Sequence, residues 1–139
     1  MTVLLQIVRY AWAAPCTAVG LVPAMLALLA GGSARVQSGV IEVALSATER
    51  ASRIPFGAIT FGHMILGRNA RMLAELRSHE RVHVRQYERW GLFFFLAYPA
   101  SSLYQLLRGR NPYWFNHFEV QCRERCTAAQ PPRDTKSAI

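Results

Sequence analysis

The sequence predicts an α+β fold: an N-terminal transmembrane helix, a small antiparallel sheet, a helix carrying His79-Glu80-Arg81-Val82-His83, and one further helix. Three observations lead there. Residues 10–30 form a run of 21 without a charge, enough to cross a bilayer as a helix. Residues 36–45 and 54–66 are rich in β-branched side chains and punctuated by glycine, the composition of short strands and turns. Residues 70–90 repeat apolar side chains at helical spacing, and the pentamer lies on that stripe.

A chain of 139 residues supports one modest core. The expected organisation is a membrane anchor over 1–31, a zincin-like metal-binding domain over 32–127, and a disordered tail over 128–139, rich in proline and polar residues. The formal charge is +8, and fifteen of the sixteen basic residues are arginine. Such a balance suits an anionic partner. No aromatic-basic module points to nucleic acid, so the expected partner is the lipid bilayer.

In the first apolar block, Pro15 and Pro23 are tolerated as they would be in a spanning helix. The rival is a cleaved signal peptide with Arg9 as its basic end and Gly32-Ser33-Ala34 as its cleavage site. The late charge and long apolar run favour a retained span, and the arginine load favours a cytoplasmic domain on a bacterial inner membrane. After Gly31-Gly32-Ser33, each of the runs 36–45 and 54–66 reads as a strand, joined by a polar turn over 46–53.

On the helix expected over 70–90, Met72, Leu73, Leu76, His79, Glu80, His83, Tyr87 and Trp90 share one side, while Arg77, Arg81, Arg85 and Arg89 share the other. The arginine row reads as a solvated face, with Arg85 and Glu88 at the surface. Histidines four apart on a helix stack one above the other and can hold one Zn2+, with the glutamate between them placed to act on a zinc-activated water. The general base would be Glu80. A catalytic site needs a third protein ligand. The candidates are His63, His117, Glu119, Glu124 and the cysteines. Glu119, on a downstream helix expected over 113–127, is chosen, with His117 as the alternative ligand. Cys122 and Cys126, four apart, read as buried thiols.

His79-Glu80-Arg81-Val82-His83, then Gln86-Tyr87-Glu88-Arg89-Trp90-Gly91, then Asn116-His117-Phe118-Glu119 resemble the small bacterial membrane-associated proteins of unknown function that carry HExxH and a downstream Asn-Pro-x-Glu. More broadly the chain is similar to gluzincin metallopeptidases, whose third ligand is a glutamate on a following helix. The resemblance covers residues 62–125. It implies His79, His83 and Glu119 as zinc ligands and Glu80 as base. It departs at His117, where the pattern has proline, and at Arg123, where larger gluzincins have aspartate.

The second apolar block, 90–107, holds 18 residues. Were it a span, His83 and Glu119 would lie about 27 Å apart. It is therefore expected as an interfacial or re-entrant segment bent at Pro99. The resulting expectation is a membrane-associated zinc peptidase acting on a peptide or protein substrate aligned by the strand run 54–66, with His63, Tyr87 or Tyr113 as a transition-state donor. Two other readings compete: a non-catalytic zinc- or lipid-binding membrane protein, and a coincidental pentamer.

Overall fold

Two glycine-bearing turns fold each strand-like run back on itself. In the computed structural model, which describes residues 2–46 and 53–129, residues 36–45 do not form one strand. They contribute to β1 (Ser33–Gln37) and β2 (Val40–Ala44), joined at Ser38-Gly39. Both turn residues have positive φ, 50° and 75°, as a two-residue type I′ hairpin requires. The run 54–66 likewise splits into β3 (Ala58–Phe61) and β4 (Met64–Gly67) around Gly62-His63. Gly62, at φ 59°, sits where a Cβ would strike the backbone of Ala13 and Thr17, so only glycine lets this turn approach the first helix.

The sheet order is β1-β2-β4-β3. Both hairpins are antiparallel, but β2 and β4 pair in parallel, Ile41 with Met64 through Ala44 with Gly67. The sheet is thus mixed rather than antiparallel. The inner strands β2 and β4 are each the second strand of their hairpin, and they enter the sheet in the same direction. Of the polar turn expected over 46–53, residues 47–52 lie outside the described residues.

Helix α1 (Val3–Leu29) is long and apolar enough to cross a membrane. It is also part of the core. Ala13 and Cys16 pack with Tyr87, Phe94 and Phe118, and Ala24 and Ala27 pack with Val43, Met64 and Leu66. Helix α2 (Ala70–Trp90) has the expected bounds, with the Asn69 side chain accepting from the Met72 amide as its N-cap. Its arginines are not uniformly solvated: Arg77 and Arg81 reach back over the sheet, while Arg85 stays exposed.

The chain changes direction at Gly91, φ 55°, not at Pro99. A Cβ on Gly91 would meet the Trp12 indole. A turn of 3₁₀ helix (Gly91–Phe93) leads into α3 (Phe94–Leu107), which continues through Pro99. The last helix, α4 (His117–Ala129), starts later than expected and takes in the first residues of the expected tail. The rest of that tail lies outside the described residues. Asn116 caps α4 by accepting from the Phe118 amide, and its Nδ2 donates to the Tyr98 carbonyl and the Ser102 hydroxyl. One side chain therefore fixes the start of α4 against α3. The second apolar block leaves α2 and returns, so α2 and α4 meet instead of being parted.

Candidate metal centre

The meeting of α2 and α4 brings three sequence-predicted ligands together. His79 Nε2 lies 3.1 Å from Glu119 Oε2, and His83 Nε2 lies 3.2 Å from Glu119 Oε1. Ligand atoms held about 2.0–2.1 Å from a tetrahedral zinc lie about 3.3–3.4 Å from one another, so these separations suit donors sharing one ion as well as direct His–Glu ion pairs. The two imidazoles stand edge to face, with centroids 5.0 Å apart. Glu119 is 2% exposed, and its position in the first turn of α4 favours a carboxylate there.

The hydrogen bonds around the ligands leave the inward-facing atoms available. Gln86, one turn beyond His83, directs its Nε2 at the Phe118 carbonyl (3.1 Å) and at Gln121 Oε1 (2.9 Å). That orientation turns Gln86 Oε1 towards His83 Nδ1, 2.8 Å away. The network thereby assigns the proton to Nδ1 and the lone pair to Nε2, the atom facing Glu119. Tyr98 donates its hydroxyl to Glu119 Oε1 at 2.7 Å. Glu119 Oε2 is buried and in ion-pair contact with His79 Nε2 at 3.1 Å. A cation between the carboxylate and the imidazoles would engage both of its oxygens. The donor set fits zinc.

The electrostatics are those of a charged His–Glu pair, in which His83 carries both ring protons and an ion at Nε2 would displace one of them. Burial works to raise the Glu119 carboxyl, but His79, His83 and Tyr98 outweigh it and hold the group well below the usual carboxylate range. Burial opposes charge on His83, yet Cys122 and Glu119 beside it push it up to about 11. Burial pushes the Cys122 thiol up. Cys122 joins His79 and His83 in a cluster able to hold a metal ion. Its sulfur, however, sits 3.6 Å from His83 Nδ1 and 3.7 Å from Nε2, flanking the ring rather than facing Nε2. Reading the cysteine pair as plain buried thiols missed this neighbour of His83.

His79, Glu80, His83 and Glu119 all line one cleft of about 830 Å³, walled by residues 55–61 with edge strand β3, by α2, by Phe94, Phe95 and Tyr98 of α3, and by Tyr113 and Trp114. Glu80 is buried there, its Oε2 accepting from the Thr60 hydroxyl at 2.7 Å. Tyr113 also lines it. Burial, then Glu119, pushes its phenol up to about 12, so it remains a proton donor at neutral pH. Tyr87 reaches the cleft as a packed ring, 4.4 Å from Phe94.

Two expected residues lie elsewhere. His63 is in the β3–β4 turn, stacked 4.0 Å from Tyr10 and paired with Glu88 at 2.9 Å. It lines no part of this cleft, because the turn carries it to the α1 side of the sheet. Glu88 is accordingly a half-buried partner of His63 and Arg9 rather than a freely solvated residue. His117, the alternative ligand, is exposed at the outer side of α4, its amide bonded to Ser101. Three residues missed in the sequence, Gln86, Tyr98 and Thr60, touch the predicted ligands and base directly. Gln86, three residues beyond His83, carried a legible signal. Compared with known proteins, the chain matches no family model, no curated protein and no solved structure.

Proposed function

We propose that this protein is a membrane-associated, zinc-dependent hydrolase, a metallopeptidase of gluzincin-like build, with His79, His83 and Glu119 as ligands and Glu80 as general base. The observation that carries the reading is the return of Glu119 to both Nε2 atoms, one at each carboxylate oxygen. Zinc, when bound, acidifies a water and polarises a carbonyl. Thr60 fixes Oε2 of Glu80, so Oε1 is the atom that takes the proton and returns it to the leaving amine. Tyr113, protonated at neutral pH, supplies a donor towards the developing oxyanion. Edge strand β3 offers unpaired backbone groups along the cleft wall, against which an extended polypeptide can lie.

The test separates binding from chemistry. Purified protein loaded with zinc should hydrolyse a fluorogenic peptide library. Glu80→Gln should keep its zinc and lose activity by about 100-fold or more. Zinc retention with unchanged activity in that variant would overturn the base assignment.

A second reading has its own support. Cys122 lies close enough to both histidines to act as a fourth protein ligand, and a site closed by four ligands is structural. Cys122→Ser discriminates: stoichiometric zinc survives on the hydrolase reading and is lost on the structural one.

A further inference from the structure

We propose that the protein sits in one leaflet of a bilayer with α1 lying along the membrane plane, and that the outward faces of α1 and α3 form its lipid-facing surface. This inference is independent of the metal centre. It begins with the two sides of α1. Ala13, Cys16, Gly20, Ala24 and Ala27 are buried against the domain, a stripe of small residues that admits close approach. Leu4, Val8, Val22, Leu26 and Leu29 lie opposite and are exposed.

What covers the inner side argues against a span. Arg9 bounds the uncharged segment at its N-terminal end, so any crossing would have to use residues 10–30. That is the stretch the sheet covers. Tyr10 donates to the Gly39 carbonyl at one hairpin tip, Gly20 abuts Phe61 and Met64, and Ala27 meets Gly32 at the strand bases. Tyr10 to Ala27 spans about 26 Å of helix, nearly the whole thickness of a hydrocarbon core of about 30 Å. A crossing α1 would carry the sheet to that depth, with edge strand β1 and its Arg35 exposed. Open sheet edges do not face lipid, because nothing there satisfies their backbone groups. Laid in the plane, α1 keeps its apolar face in lipid and the sheet out of it.

Two further features fit a bilayer. The apolar face continues from α1 to α3 through Trp12 and Phe93, whose rings are 6.3 Å apart, and runs on through Leu96, Leu103 and Leu107. Where α3 ends, Arg108 lies over Tyr104, Arg110 over Phe115, and Arg123 over Trp114. Aromatic rings bearing cations suit the headgroup level of an anionic leaflet, and the net charge of +8 is complementary to it.

The experiment places single cysteines at the two ends of α1, Thr2→Cys and Ser33→Cys, each in a Cys126→Ser background, since Cys16 and Cys122 are buried. Both substituted positions are exposed. Spheroplasts expressing the full chain are treated with a membrane-impermeant maleimide before and after permeabilisation, and the membrane fraction is collected. Expected is a membrane-bound protein whose two cysteines behave alike, both reacting before permeabilisation or both only after it. One cysteine reacting before and the other only after would establish a span and overturn the proposal. Recovery in the soluble fraction, as a monomer or as a dimer burying the same face, would overturn it as well.

Discussion

Of the buried carboxylates, Glu42 on β2 and Glu119 on α4 differ in kind in their surroundings. Glu42 accepts from Arg77 through both oxygens, at 2.8 and 3.0 Å, and from Arg35 at 3.1 Å, with Arg81 at 3.9 Å. Both its oxygens are occupied by fixed cations. Glu119 faces two imidazoles and a phenol, none of them a permanent cation. A buried carboxylate whose oxygens are all taken by arginine is structural: it pins α2 to the sheet. One held by imidazoles, which can also ligate a metal, is the carboxylate that the proposed function assigns to an ion.

The contrast sharpens into outcomes of decreasing size. Gln86→Ala removes the group that fixes the His83 tautomer and bridges to α4. Zinc affinity should fall by about 10–100-fold, read by chelator competition, in protein with an unchanged circular dichroism spectrum. Unaltered affinity would show that the Gln86 network merely packs two helices.

Glu42→Gln should act on stability alone. It takes the carboxylate from arginines that are partly solvated and can rehydrate, so a loss of about 1–3 kcal/mol is expected in denaturant unfolding, with zinc per folded chain unchanged. The pH dependence follows. Hydrogen bonds from Arg77 foremost, opposed by burial and aided by Arg35, lower the Glu42 pKa. Its contribution is therefore complete above the unfolded carboxylate value of about 4.3 and is lost as pH falls through the depressed folded value. The variant should show a shallower acid limb. An equal loss of zinc would break the comparison, because it would make Glu42 part of the site.

Tyr98→Phe is the smallest. It deletes one hydrogen bond to Glu119 Oε1, about 1 kcal/mol, so zinc affinity should weaken several-fold in the same competition assay. A loss as large as that of Gln86→Ala would promote Tyr98 to a principal determinant of ligand position.

Much of this site was legible in the sequence because it rests on helical periodicity. The helix over 70–90, the inward pair His79 and His83, and Glu80 follow from spacing alone, and Glu119 from the need for a returning ligand. The sheet was harder. Runs 36–45 and 54–66 contain their turns as Ser-Gly and Gly-His pairs, without the Asn-Gly or Asp-Gly signature that marks a tight hairpin, so each passed for one strand and the parallel pairing stayed hidden. His63 was misplaced for the same reason: as a turn residue it leaves the sheet face that borders the cleft. Tyr98 lies within an apolar block where an aromatic ring reads as packing, and its hydroxyl became meaningful only once α3 was seen to return beside α4.

The most direct test of the account is the metal content of purified wild-type protein beside Glu119→Ala and His117→Ala, by elemental analysis after dialysis. About one zinc per chain is predicted for the wild type and for His117→Ala, and little or none for Glu119→Ala. Zinc retained by Glu119→Ala, or absent from the wild type, would contradict it.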